Sequence, residues 1–300
     1  MAGSSGEVYK SLIVNTIIAT SKGVGAFITG SGAMLAETLH SFADCGNQLL
    51  LLLGIKQSKR PADAKHPLGY GRSMYFWSFI VALLLFSGGG MFSIYEGVHK
   101  LRHPEAVGDV IVGIVILVLA ILLEGWATFG NVRTMNAKRG TVPFFRYLKE
   151  TKDSDLVVVF GENSAAVLGL FFALAALIVA KVTNDGRWDA VGSLAIGTVL
   201  IGVAIFLGRE VKSLLVGESA DANVTLVAHK LAAQDPNVEE VLEVITMQQG
   251  PGEIVVLMKL KFRPGLETDQ LVTAINTFET NLRQEVPEAK WSFIEPDRVA

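Results

Sequence analysis

Between Ser31 and Leu53 the chain carries the run SGAMLAETLHSFADCGNQLLLLL, long and apolar enough to cross a bilayer as a helix yet interrupted by Glu37, His40 and Asp44. A helix rises about 1.5 Å per residue, so roughly 20 residues span the hydrocarbon. Ionisable groups at that depth are costly, and a segment holding several of them points to function. Residues at i, i+3 and i+7 share one helical face, so the imidazole and the two carboxylates point toward a protein interior or a wet cavity. A neutral imidazole nitrogen beside carboxylate oxygens is a ligand set for a divalent ion such as zinc. The competing explanation, a solvated face of a soluble bundle, fits poorly with the apolar residues on either side.

The rest of the 300 residues agrees with a membrane protein: 50% are hydrophobic and 18% charged. A net charge of −3 argues against a nucleic-acid partner. The single cysteine, Cys45, excludes an intramolecular disulfide and a multi-cysteine zinc site; it points about 100° away from Asp44 and reads as packing. The segment Met1–Lys10 lacks the basic start of a signal peptide, so the first apolar run is expected to remain as a span.

Six spans can be read: Tyr9–Thr29, the run from Ser31, Met74–Val98, Val107–Phe129, Leu156–Ala180 and Ala190–Leu207. Lys22 in the first is expected to snorkel or to pair within the bundle. Gly88, Gly89 and Gly90 in the third weaken the helix but permit close contact or bending. Basic residues concentrate in the loops after spans two and four (Lys56, Lys59, Arg60, Lys65, Arg72; Arg133, Lys138, Arg139, Arg146, Lys149, Lys152) and beside the termini (Lys10, Arg209, Lys212). The opposite side holds Lys100, Arg102, Lys181 and Arg187, so both termini are placed in the cytoplasm of a cell inner (plasma) membrane.

After Val216 the texture becomes that of a small soluble domain. Helical spacing over Asn223–Gln234, two strands at Val238–Met247 and Glu253–Phe262 around Gly250-Pro251-Gly252, a helix over Thr268–Glu285 and a strand at Lys290–Glu295 give an αββαβ order. The division expected is a membrane domain over residues 1–213 and a cytoplasmic α+β domain over residues 214–300. His229 is this domain's one histidine, and its carboxylates Asp235, Glu239 and Glu240 read as solvated surface.

A second candidate site opens the fifth span, in DSDLVVVFGENSAAVLGLFF, where Asp155 and Glu162 share a face and Asn163 follows. Glu162 lies deeper; its bland role is a hydrogen bond between helices or a pairing with Lys22. Spans two and five, if neighbours, hold enough donors for a tetrahedral ion. Glu124 in span four is either a relay for ions or protons or a group that links helices, and His66 is a loop-structuring or ion-recruiting residue. With no GxxxxGK[ST] loop, ATP drive has no support and coupling to protons is the natural substitute: protons compete with metal for an imidazole of unperturbed pKa about 6.5.

The stretches GSGAMLAETLHSFADCGNQLLLLLG and PADAKHPLGYGRSMYFWSFIVALLL, with six spans and an αββαβ tail, resemble the cation diffusion facilitator family of the zinc-transporter type. The resemblance implies a proton-coupled exporter, a homodimer, a ferredoxin-like C-terminal domain that dimerises, and a transport site between spans two and five. The family's HxxxD falls on His40 and Asp44, and the matching pair in span five falls on Val158 and Glu162. Valine and glutamate there depart from the usual histidine and aspartate and are similar to the zinc transporter nine-like branch, which has a glutamate, then Asn or Asp, then small residues, as in Glu162-Asn163-Ser164-Ala165-Ala166. The expected metal ligands are His40, Asp44, Glu162 and Asn163, with Glu37, Asp155 or water completing the shell. Zn²⁺ is expected as the transported ion, with Mn²⁺ or Fe²⁺ favoured by an oxygen-rich shell. No bound cofactor and no enzymatic activity are expected. Two rival readings are a membrane scaffold that transports nothing and a proton-coupled carrier of an organic solute.

Overall fold

The structure, a computed structural model, describes residues 3–104, 110–151 and 154–298, without the side chains of 3–11, 14, 150, 154 and 155. The side chains of Lys10, Lys152 and Asp155 therefore lie outside the described residues. Two units are distinguished: residues 1–55, 76–148 and 154–211 form the first, and the second comprises chiefly Lys56–Tyr75 and Lys212–Ala300.

The first unit is a bundle. Helix α1 covers Gly3–Thr29 and α2 Gly32–Ser58; α3, Ser73–Leu84, continues through a π-helical stretch at Leu85–Met91 into α4, Phe92–Arg102. Then follow α5 at Val110–Arg139, a short α6 at Phe144–Glu150 that the hydrophobic pattern did not announce, α7 at Ser154–Thr183 and α8 at Arg187–Val216. Helix α1 stops where Gly30 takes a φ of +64° and donates its N–H to the carbonyl of Ala26 at 2.8 Å, the turn expected from Gly30-Ser31-Gly32.

Among the described residues four helical runs are both long and apolar enough to cross a membrane: Ser73–Arg102, Val110–Arg139, Leu156–Thr183 and Arg187–Val216. The expectation was six. Helix α2 has the length, 27 residues or about 40 Å, but Glu37, His40, Asp44, Asn47 and Gln48 dilute its apolar run. Large apolar side chains face outward from the bundle, among them Phe27, Ile111, Leu122, Trp126 and Phe129, each more than 60% exposed. Patches of that kind are rare on soluble monomers and suit contact with lipid.

The π-helical stretch falls on the glycines that the sequence singled out. A side chain at Gly90 would place Cβ 2.6 Å from Ile201 Cγ1, and one at Gly97 would lie 2.7 Å from Leu194 Cγ. From the other side, a Cβ at Gly197 would lie 2.8 Å from Ile94 Cγ1. The run α3–α4 and α8 thus meet backbone to backbone, the close contact that small residues allow.

The second unit shows the expected αββαβ order: α9 at Ala222–Gln234, β1 at Val238–Gly250, β2 at Glu253–Phe262, α10 at Thr268–Glu285 and β3 at Ala289–Pro296. Asp221 caps α9 by accepting from Asn223 N at 2.8 Å, and Glu267 with Gln270 forms a capping box on α10. The sheet is mixed, ordered β1-β2-β3, with the first pair antiparallel and the second parallel. Ile254, Val256, Met258 and Leu260 on central β2 pack with Val224, Ala228, Phe278 and Leu282 of the two helices, as the alternation predicts. Leu257 and Phe293 on the opposite face stay half-exposed. The loop Lys56–Tyr75 joins this unit through Gly71 and Gly250, whose backbones touch, and through Gln249, which donates to the Leu68 carbonyl at 3.4 Å.

Candidate metal site

What fixes α2 in place is a carboxylate on another helix. Asp189, in the first turn of α8 and 1% exposed, accepts from Ser31 Oγ at 2.5 Å, from Gly32 N at 2.6 Å and, at a longer 3.4 Å, from Ala33 N. These are donors at the start of a helix that have no partner within it, and an anion there also complements the helix dipole. Lys100 from α4 stands 3.5 Å from Asp189 Oδ2 and also donates to the Gly30 carbonyl.

Deeper in the bundle Lys22 is fully buried and bonded on three sides: Nζ lies 2.7 Å from Glu124 Oε1, 2.8 Å from Ser41 Oγ and 3.3 Å from Glu37 Oε2. One ammonium therefore joins α1, α2 and α5. Of the alternatives for Lys22, pairing is what the structure shows, and its partners are Glu37 and Glu124 rather than Glu162. The Glu37 carboxylate is pressed against Gly169 of α7, where any Cβ would collide with it.

Next to this network lies a cavity of about 380 Å³ enclosed by α1, α2, α5 and α7. Asp44, Glu124, Glu162 and Asn163 all line it, with Ser41 and Asn131. Asn47 donates to Glu162 Oε1 at 2.6 Å, a direct link between α2 and α7, so the helices carrying the two halves of the expected site are neighbours. His40 is fully buried behind the wall, its Nδ1 3.7 Å from Asp44 Oδ1, and neither ring nitrogen has a hydrogen-bond partner among the described residues. Glu37 belongs to the lysine network, and Val158 is packed at 0% exposure. Among the described residues no three His, Cys, Asp or Glu side chains converge tightly enough to hold an ion together. The groups ring a space instead.

Cys45 sits 3.7 Å from Thr16 Oγ1, in keeping with packing between α1 and α2. In the second unit His66 is half-exposed, and Asp63, which accepts from Tyr70 Oη at 2.7 Å and from His66 N at 2.7 Å, is held below the usual carboxylate range first by the tyrosine hydroxyl and then by that amide. The same bond raises the Tyr70 hydroxyl.

The spacing rules overlooked two positions. Asn47 follows Asp44 by three and His40 by seven, so extending the helical face by one turn would have found it. Asp189 sits in a loop-to-helix junction where an acidic residue has many ordinary explanations, and no sequence signal ties it to α2.

The profile of the cation efflux transmembrane domain matches residues 8–216. The chain belongs to the cation efflux, or cation diffusion facilitator, family. It is 30% identical over 282 residues to the Xenopus laevis protein named proton-coupled zinc antiporter SLC30A9, mitochondrial, covering 93% of this chain and 49% of that protein. It is 29% identical over 236 residues to metal tolerance protein C4 of Arabidopsis thaliana, covering 78% of this chain and 52% of the relative. With the magnetosome protein MamB of Paramagnetospirillum magneticum it shares 24% over 276 residues, 90% of this chain and 86% of the relative. The chain thus spans about half the length of the first two curated relatives. The family is one of transporters rather than enzymes, and the resemblance read from residues 30–54 and 61–85 stands.

Proposed function

We propose that the chain carries Zn²⁺ across a membrane in exchange for protons, through the cavity between the second and fifth spans. The observation behind this reading is the cavity wall itself: Asp44 and Asn163 with Glu162, fixed by Asn47, come from α2 and α7 onto one enclosed space, and His40 stands 3.7 Å behind Asp44. Four oxygen or nitrogen donors drawn toward one ion by a small inward movement of the helices would make a tetrahedral shell. The metal is the cargo, so an open ring in one state and a closed shell in another is what alternating access requires. An imidazole and carboxylates that hold a divalent ion must release it to protons, which supplies the exchange. The name of the Xenopus laevis relative, a proton-coupled zinc antiporter, supports the same cargo and coupling.

In this reading α1 and α2 complete six spans, α2 being held by its ionic contacts, and the αββαβ unit is a ferredoxin-like cytoplasmic domain, residues 214–300, that dimerises. The positive-rich loops face the negative side of an energised membrane. That is the cytoplasm for a plasma membrane and the matrix for an inner mitochondrial membrane; the Xenopus laevis relative is named as mitochondrial. The half-exposed apolar side chains Leu257 and Phe293 are the face offered to a second copy.

The deciding experiment is uptake of Zn²⁺, Mn²⁺, Fe²⁺ and Cd²⁺ into proteoliposomes under an imposed pH gradient, comparing the intact chain with Asp44→Ala and Glu162→Ala. Gradient-driven Zn²⁺ flux that disappears in both folded variants is expected. Undiminished flux in either would remove the site from this place, and no flux of any metal would return the scaffold and organic-solute readings.

A further inference from the structure

Three carboxylates face the cavity, not two. Glu124, from α5, lines it beside Asp44 and Glu162, yet its Oε1 is taken by Lys22 at 2.7 Å while its Oε2 is buried without a hydrogen-bond partner among the described residues. Ser41 is likewise shared, as a cavity wall and as an acceptor for Lys22 at 2.8 Å. A lysine with 0% exposure, tied to two acidic side chains on other helices, is an expensive arrangement for packing alone, since buried ion pairs return little net stability. Its position explains more. The ammonium stands against the wall of a chamber whose other ionisable groups are the carboxyls of Asp44 and Glu162, and the fully buried His40 nearby has both nitrogens unused among the described residues.

We infer that Glu124 is a further ligand for the transported ion and that Lys22 is a resident cation that occupies Glu124 until the ion takes its place. The inference rests on the transport reading above and adds two residues on two further helices to it. In the ion-free state Lys22 offsets the charge of Glu124, which would otherwise stand bare beside the carboxyl groups of Asp44 and Glu162 in a small volume. When a divalent ion reaches Asp44 and Glu162, Glu124 rotates from the ammonium to the metal, and Lys22 keeps Glu37 and Ser41. A third carboxylate of this kind fills the place that Val158 cannot, because valine offers no donor. Lys22 therefore acts as a positioning residue: it lowers affinity for the ion and, by reclaiming Glu124, favours release.

The test is equilibrium binding of Zn²⁺ to the purified full-length chain in detergent, together with Zn²⁺ flux in proteoliposomes. Lys22→Gln leaves Glu124 free, so the dissociation constant should fall about tenfold, an effect of the size that residues beside a metal ligand usually have but opposite to the usual loss, while maximal flux drops. Glu124→Gln should weaken binding by a similar factor, and in the Lys22→Gln, Glu124→Gln double variant the tightening should vanish. Should Lys22→Gln misfold through the stranded Glu37, Lys22→Met with Glu37→Gln removes both charges and serves the same comparison. A folded lysine variant whose Zn²⁺ affinity is unchanged or weaker overturns the inference, because a merely structural lysine gives no gain in affinity with loss of flux. Asp44→Asn separates the two levels: if it abolishes binding while the Lys22 and Glu124 variants match the parent, the transport site stands and only the resident-cation idea fails.

Discussion

Removing Asp189 should destabilise the bundle more than any other single carboxylate in the first unit, although Asp189 is remote from the cavity. In Asp189→Ala the Ser31 hydroxyl and the Gly32 N–H, both buried, lose acceptors at 2.5 and 2.6 Å. Hydrogen bonds to a charged group contribute about 1.5–3 kcal/mol each, so the pair accounts for about 3–6 kcal/mol before relaxation. The 3.4 Å contact with Ala33 N adds little, and the cap effect on α2 is already contained in the Gly32 bond. Lys100→Met is the control. It removes a 3.5 Å pairing and the donation to the Gly30 carbonyl, but Asp189 keeps its donors from Ser31 and Gly32, so a smaller loss of about 1–3 kcal/mol is expected. Thermal and denaturant unfolding in detergent, followed by tryptophan fluorescence, would compare the two variants. A loss below about 1 kcal/mol in Asp189→Ala, or an equal loss in Lys100→Met, would refute the view that this carboxylate anchors the start of α2.

Two other perturbations test separate parts of the fold. Gly90→Ala should cost about 1–3 kcal/mol in the same unfolding assay, since its Cβ meets Ile201 at 2.6 Å, whereas Gly88→Ala, with open space around it, should be neutral or slightly stabilising. In the loop of the second unit, Asp63 has a depressed pKa, so its bonds to Tyr70 and His66 help order the loop at neutral pH and are lost as pH falls through the folded-state value, below the usual carboxylate range. Amide exchange at residues 65–70 should therefore quicken on acidification in the parent chain and be fast and pH-insensitive, beyond the intrinsic rate, in Asp63→Asn; a parent loop with no such change would remove Asp63 from that role.

Much of this architecture is legible from one-dimensional rules because those rules describe local chemistry. The αββαβ order and the bounds of β2 and α10 follow from alternation, turn glycines and a helix stop before Pro287, and each depends on neighbours within a few residues. Asp44, Glu162 and Asn163 were picked out as polar groups inside apolar runs, and the structure brings all three onto one cavity. The partition of the other charges was not legible. Glu37, on the same face as His40 and Asp44, is drawn instead to Lys22, fifteen residues earlier, and Glu124 reaches the same lysine across more than a hundred residues. Helical periodicity says which face a side chain occupies; it does not say which neighbouring helix brings the counter-charge to that face.

The same partition explains why α2 is less apolar than α5, α7 and α8. A helix that carries Glu37, His40, Asp44 and Asn47 gives up part of the apolar surface that holds α5 or α8 in place. Its stability has to come from directed contacts. These are spaced along its length: Asp189 at its first turn, Lys22 against Glu37 and Ser41 one and two turns further, and Glu162 against Asn47 beyond the middle. Each contact comes from a different helix, α8, α1 and α7, so the polar helix is suspended among three partners rather than packed against one. Directed bonds of this kind can be exchanged one at a time at modest cost, whereas an interdigitated apolar seam shifts as a block. A helix so held can change partners at one level while remaining anchored at another, which is what the proposed transport site asks of it.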